Sequence, residues 1–117
     1  MSIEYMQPIT IPEYKEQADD IGWEYKKEMT SPGDGASVII PTTVRNISIT
    51  LEIDSGSANF EATTSPIAEV LAEDASVVWI PWDNGEVAFT VQDQMVPPTA
   101  VRQVNVSGVS RLLLRAQ

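Results

Sequence analysis

The stretch ISITLEI, residues 47–53, decides the class of the fold. Ile47, Ile49, Leu51 and Ile53 alternate with Ser48, Thr50 and Glu52, the period-two pattern of a strand with one face buried. Just beyond it, Asp54-Ser55-Gly56-Ser57 reads as a turn, after which Phe60 and Ala62 share one strand face. Ser37 to Ile40 is a short apolar run, and near the end of the chain strands over 100–106 and 109–115 flank Ser107-Gly108, a hairpin-type turn. Ser65-Pro66 opens a short helix with Ile67, Val70 and Leu71 as its apolar stripe, Ser65 serving as cap and Pro66 as first helical residue. Pro97-Pro98 forces a loop. Strands at this spacing with one short helix predict an all-β fold, a small antiparallel β-sandwich of about six to eight strands. A parallel sheet would require crossover helices, and the pattern contains none.

The segment VWIPWDNGE, residues 78–86, carries the strongest local signal in that half. Asn-Gly between alternating apolar runs predicts a two-residue hairpin, because both residues tolerate the positive φ of a type I′ turn. The register then sets Trp82 opposite Val87, Ile80 opposite Phe89 and Val78 opposite Val91 on one apolar face. Trp79 falls on the other, beneath the helix or at a contact between subunits. Pro81 cannot donate to a ladder, so this strand is expected at an edge or bulged.

Residues 1–36 differ in character from residues 37–117. All three lysines (Lys15, Lys26, Lys27) and all three tyrosines (Tyr5, Tyr14, Tyr25) precede the SPGDG stretch at 31–35, and all four arginines (Arg45, Arg102, Arg111, Arg115) follow it. The division predicts an acidic, aromatic-containing N-terminal arm with linker, 1–36, before a β-sandwich domain, 37–117. Within the arm, Tyr14, Ala18, Ile21, Tyr25 and Met29 share a helical face, although Ile21, Trp23 and Tyr25 also alternate as in a strand. A short helix in an extended arm is the expectation.

Composition narrows the chemistry. The 117 residues include no histidine and no cysteine, which removes the commonest general base, thiolate nucleophiles, disulfides and the usual zinc ligands. Seventeen acids against seven bases give a net charge of −10, which repels nucleic acid and anionic membranes. No apolar run reaches the ~20 residues of a membrane span, and Met1 to Tyr14 lacks the basic start of a signal peptide. The paired acids Asp19-Asp20 and Glu73-Asp74, and the cluster Asp83, Asn84, Glu86, read as solvated surface. Catalytic carboxylates need a fixed separation and calcium needs six or more oxygen ligands, and neither follows from these spacings. No catalytic residue, metal site or cofactor is expected. Asn46-Ile47-Ser48 and Asn105-Val106-Ser107 match the glycosylation pattern and are discounted for want of a secretory signal. The arginines Arg102, Arg111 and Arg115 either pair internally or engage the acidic arm of a neighbouring copy.

Glu73 to Val91, EDASVVWIPWDNGEVAFTV, and Pro98 to Ser110, PTAVRQVNVSGVS, resemble the carboxy-terminal half of small structural proteins of tailed bacteriophages. The matching features are the Trp82-Asp83-Asn84-Gly85 turn and the Ala100-Val101-Arg102-Gln103-Val104-Asn105-Val106-Ser107-Gly108 stretch. Val78 to Pro81 stands as an insertion, and residues 1–36 have no counterpart. The resemblance implies a non-enzymatic virion component assembled in the host cytoplasm. Its partners would be major capsid or other virion proteins, and it would act as capsid decoration, cement or head-tail accessory and as a homo-oligomer, a trimer by analogy. Expected interface residues are Tyr5, Tyr14, Trp23 and Tyr25 of the arm, together with Trp79, Arg102, Arg111 and Arg115. The alternative is a carbohydrate-binding β-sandwich module that uses an exposed Trp79.

Overall fold

The alternation over residues 47–53 is realised as β6 (Ile47–Ile53), which buries Ile47, Ile49 and Leu51 completely. The structure, a computed structural model, describes residues 2–10 and 21–117, so Tyr14 and Ala18 lie outside the described residues. The fold is all-β with one short helix, two sheets facing each other across a shared core. The other elements are β1 (Ile3–Tyr5), β2 (Gln7–Thr10), β3 (Ile21–Met29), β4 (Gly33–Asp34), β5 (Ser37–Ile39), β7 (Ser57–Thr63), α1 (Ile67–Leu71), β8 (Ile80–Pro81), β9 (Val91–Met95), β10 (Ala100–Ser107) and β11 (Ser110–Ala116). Eleven strands exceed the expected number because several edge pieces are only two to four residues long. Among the described residues no helix is long and apolar enough to cross a membrane.

The front sheet runs β1-β5-β10-β7-β8, with β4 also on β10, and the back sheet runs β2-β3-β11-β6-β9. Neighbours are antiparallel except β1 and β5. That parallel pair needs no crossover helix: the long connection a parallel pair requires is supplied by the excursion through β2 and β3 in the other sheet. Between the sheets lie Val38, Ile47, Ile49, Leu51, Phe60, Val101, Leu112 and Leu114, all essentially inaccessible to solvent. Each such side chain contributes about 1.5–3 kcal/mol through burial alone.

The two Ser-Gly turns interlock. β6–β7 and β10–β11 are consecutive strands that belong to opposite sheets, and each pairs with a strand of the other unit: β7 with β10, β6 with β11. Where the turns meet, the Ser55 N–H donates to the Val109 carbonyl at 3.2 Å and the Val109 N–H returns a bond to Ser55 at 3.1 Å. A Cβ on Gly56 would overlap the Ser107 carbonyl, and one on Gly108 the Ser55 carbonyl; both residues have φ near +70° (72° and 70°). Only glycine combines that backbone with that approach. Beneath the turns, buried Gln103 donates to Ser110 at 2.6 Å, Ser110 to Asn105 at 2.8 Å, and Asn105 to the carbonyls of Ser31 and Gly108. Asn105 is therefore committed inside the fold, and its glycosylation pattern is a coincidence of sequence.

The described strands of residues 1–36 belong to the two sheets and not to an appended arm. β3 pairs with β11 along seven residues and β2 pairs with β3, while β1 adds to the front sheet beside β5. The expected helix gives way to strand from Ile21 onward, because a spacing of four is even and suits both periods, and the neighbouring Trp23 and Tyr25 complete the period-two set. SPGDG is stitched onto β10: Asp34 pairs with Val104, and the Gly35 N–H donates to Gln103 at 2.6 Å.

Candidate functional site

VWIPWDNGE forms no hairpin. Ile80 pairs with Ala62, Pro81 with Glu61, the Trp82 N–H donates to the Phe60 carbonyl at 2.9 Å, and Val87 bridges to Ala58. The chain thus runs antiparallel along β7 on both sides of Asn84-Gly85, and the turn is an excursion within an edge strand. A local hairpin lost to β7 because that strand offers the same backbone groups a partner in a sheet already anchored by β10. The turn has another use. Trp82 is buried against Phe60 (centroids 5.3 Å apart), and its indole N–H needs an acceptor, which the folded-back Gly85 carbonyl supplies at 2.7 Å. Trp82 and Val87 are core, as expected, but Val78, Ile80 and Phe89 are 60%, 58% and 69% exposed, where a common apolar face would have buried them.

From Val87 the chain crosses to the back sheet and returns as β9 along β6. Asn84 ties the turn to β9 by donating to Asp93 at 2.9 Å, and Thr90 accepts the Ile53 N–H at 3.1 Å. This flank closes the sandwich between the edge strands β8 and β9. The Ile80 and Trp82 N–H groups face β7, so Pro81 occupies the position whose N–H would point outward and blunts β8 against strand addition. On β9 the Asp93 carboxylate accepts the Gln94 N–H at 2.8 Å.

Apolar side chains stand out of this flank nonetheless. The helix lies between Thr63 and β8, but Ser65 does not cap it; its hydroxyl accepts the Val78 N–H, and Pro66 takes the cap position. Of the expected stripe only Val70 is buried, while Ile67 and Leu71 are exposed. Ile67, Pro41, Val44, Arg45 and Pro97 line an open groove of about 850 Å³ at the pole away from the Ser-Gly turns, with the 86% exposed Val96 on its rim. Val78, Ile80, Phe89, Ile67, Leu71 and Val96 are the candidate residues, spread along the flank from the groove, lined by Ile67 and Val96, to the Ser-Gly end, where Phe89 adjoins Thr90 on Ile53.

Of the residues expected at an interface, Trp79 lies half-buried on the outer face of the front sheet. Its ring is covered by the Arg102 guanidinium at 4.4 Å, and Arg102 in turn pairs with Glu61 at 2.7 Å and Asp34 at 3.5 Å. Arg102, and not the helix, covers Trp79, so a sugar would have to displace a cation to stack on that side. Arg111 spreads over three acids from three segments: Asp54 at 2.6 Å, Glu28 at 2.9 Å and Glu52 at 3.4 Å. Those hydrogen bonds, to Asp54 first, raise its pKa and keep it charged. Arg115 pairs with Glu24 at 3.4 Å. All three arginines meet acids of their own chain.

The aromatic residues of 1–36 divide differently from expectation. Tyr5 is exposed, Trp23 packs on the core, and Tyr25 is buried with its hydroxyl donating to Glu4 at 2.5 Å. Burial, then the Glu4 hydrogen bond, pushes the Tyr25 pKa above the ordinary phenol value. Trp23 and Tyr25 pack within the body. The exposed flank was missed in the sequence, but it has a signature there: residues 46–101 contain no lysine or arginine.

No family model matches the chain, and no curated protein matches it. Among solved structures it is similar to a chain from Bacillus endospore appendages, described as a novel family of disulfide-linked pili. The likeness covers 82% of this chain and 86% of that one, with a TM-score of 0.47 and 10% identity.

Proposed function

We propose that the chain is a non-enzymatic structural subunit present in many copies on a larger particle, of the tailed-phage virion kind that residues 73–110 resemble. It docks on a major capsid or other virion protein as decoration, cement or head-tail accessory, and the copies assemble as a homo-oligomer with three the number to test. The observation that carries the reading is the flank: six large apolar side chains, Ile67, Leu71, Val78, Ile80, Phe89 and Val96, are held in water by a segment otherwise tied down by hydrogen bonds. Exposed apolar surface of this kind on a small domain marks a contact with another macromolecule. The chemistry of the chain agrees, since it has neither histidine nor cysteine and three of its four arginines, Arg102, Arg111 and Arg115, are held in internal pairs.

Removing residues 1–36 is no test of docking, because it removes β1 to β4 and exposes β11. The clean experiment compares the full chain with an Ile80→Ser/Phe89→Ser variant in sedimentation with purified particles. The full chain is expected in the particle fraction in many copies, and the variant in the supernatant with unchanged thermal unfolding. A wild-type chain that never enters the particle fraction overturns the reading.

A further inference from the structure

We propose that the flank from α1 to β9 docks on a basic protein surface that presents apolar side chains, and not on a second copy of this chain. This rests on the docking reading above and adds the chemistry of the partner. Residues 46–101 carry nine acids and no base. Glu52 and Asp54 pair with Arg111, and Glu61 with Arg102. The other six, Glu69, Glu73, Asp74, Asp83, Glu86 and Asp93, meet no cation among the described residues, and all lie in the segment that exposes the apolar side chains. Their hydrogen-bond partners are uncharged: Ser76 for Asp74, Ser57 for Glu86, Asn84 and Gln94 for Asp93.

Two copies meeting through this flank would set six carboxylates against six as water leaves the contact. Like charges juxtaposed across an interface oppose association, whereas a basic rim around the same apolar side chains favours it. Arg102, Arg111, Arg115, Lys26 and Lys27 are each already held by an acid of their own chain, and Arg45 beside the groove is the one further base among the described residues, so a second copy supplies little compensation for six carboxylates. Pro81 also removes a donor that strand addition on β8 would use.

The test uses the full chain and three synthetic peptides in titration calorimetry: alternating Arg and Leu, alternating Glu and Leu, and alternating Arg and Ser. The Arg/Leu peptide is expected to bind, and the Glu/Leu peptide not to. Affinity for Arg/Leu should fall about tenfold in Glu69→Gln/Glu73→Gln/Asp83→Asn/Glu86→Gln and about tenfold in Ile80→Ser/Phe89→Ser. Glu24→Gln/Glu28→Gln, on the outer face of the back sheet, should leave it within about twofold. Equal binding of Arg/Ser and Arg/Leu overturns the proposal, because the apolar residues then contribute nothing. So does reversible self-association in sedimentation velocity that Ile80→Ser/Phe89→Ser abolishes, which assigns the flank to a second copy and leaves the docking reading standing. If that variant changes neither peptide binding, self-association nor particle sedimentation, the docking reading itself falls.

Discussion

The sandwich has two flanks, each closed by one stretch of chain that passes between the sheets, and they do the same topological task with opposite chemistry. On one side β1 leaves the front sheet, Met6 drops into the core, and β2 continues in the back sheet. Glu4 there latches the sheets together, accepting from Tyr25 of β3 and pairing with Lys27 at 3.4 Å. At that latch the carboxylate has a cation partner. On the other side, β8 to β9 closes the sandwich with a buried tryptophan and an asparagine bridge, supplies no cation, and leaves Ile80 and Phe89 in water. Closing a sandwich requires buried anchors and satisfied edges; it does not require exposed apolar side chains, and six stand out of this flank against Tyr5 among the described residues of the other, an excess that stability does not explain.

The contrast can be broken at four points. The largest effect is expected from Trp82→Ala, which removes the anchor of the apolar flank and orphans the Gly85 acceptor, at a cost of about 3–5 kcal/mol in denaturant unfolding. Met6→Ala tests the opposite anchor and should cost less, about 2–3 kcal/mol, because methionine fills its site flexibly. Should Met6→Ala prove the more damaging, the latched flank and not the tryptophan flank is what holds the sheets.

Tyr25→Phe sharpens the latch alone, with an expected loss of about 1 kcal/mol near neutral pH. It also carries a pH signature. The folded phenol titrates above its ordinary value of 10.0, so its contribution is complete below that pH and is lost as the pH rises toward the raised folded value. Unfolding free energy of the wild type should therefore decline above about pH 10, and the part due to this group should vanish in Tyr25→Phe. An identical alkaline decline in both proteins would detach the latch from stability. The smallest effect belongs to Pro81→Ala, which should move stability by no more than about 0.5 kcal/mol yet restore an outward N–H on β8. Light scattering should then rise with concentration in the variant and not in the parent; no rise would show that the missing donor at Pro81 is not what keeps β8 from pairing with another chain.

Much of the body was legible because period-two burial is written locally. ISITLEI became β6, Phe60 faced the core, and the strands around both Ser-Gly turns lie where the alternation put them. Ile21 to Met29 was misread because a repeat of four residues serves a helical stripe and a strand face alike. The flank was misread for a stronger reason. Asn84-Gly85 satisfies every local requirement of a hairpin, but the pairing that won is between residues some twenty apart, and only the position of β7 in a sheet reveals it. The candidate site followed from that error, since Ile80 and Phe89 were placed face to face in the core and instead stand on the surface.

By itself, then, the sequence determined that this is a β protein without thiol or imidazole chemistry, that Trp82 and Val87 are core, and that the stretch from 46 to 101 is devoid of positive charge. Burial periodicity and charge are properties of each residue in its local order, so they survive being read one segment at a time. Which strand takes the edge of β7, which sheet each half of a turn joins, and which apolar side chains remain in water were decided only by tertiary structure. Backbone groups have many acceptable partners, and the choice among them is made by competition across the whole chain.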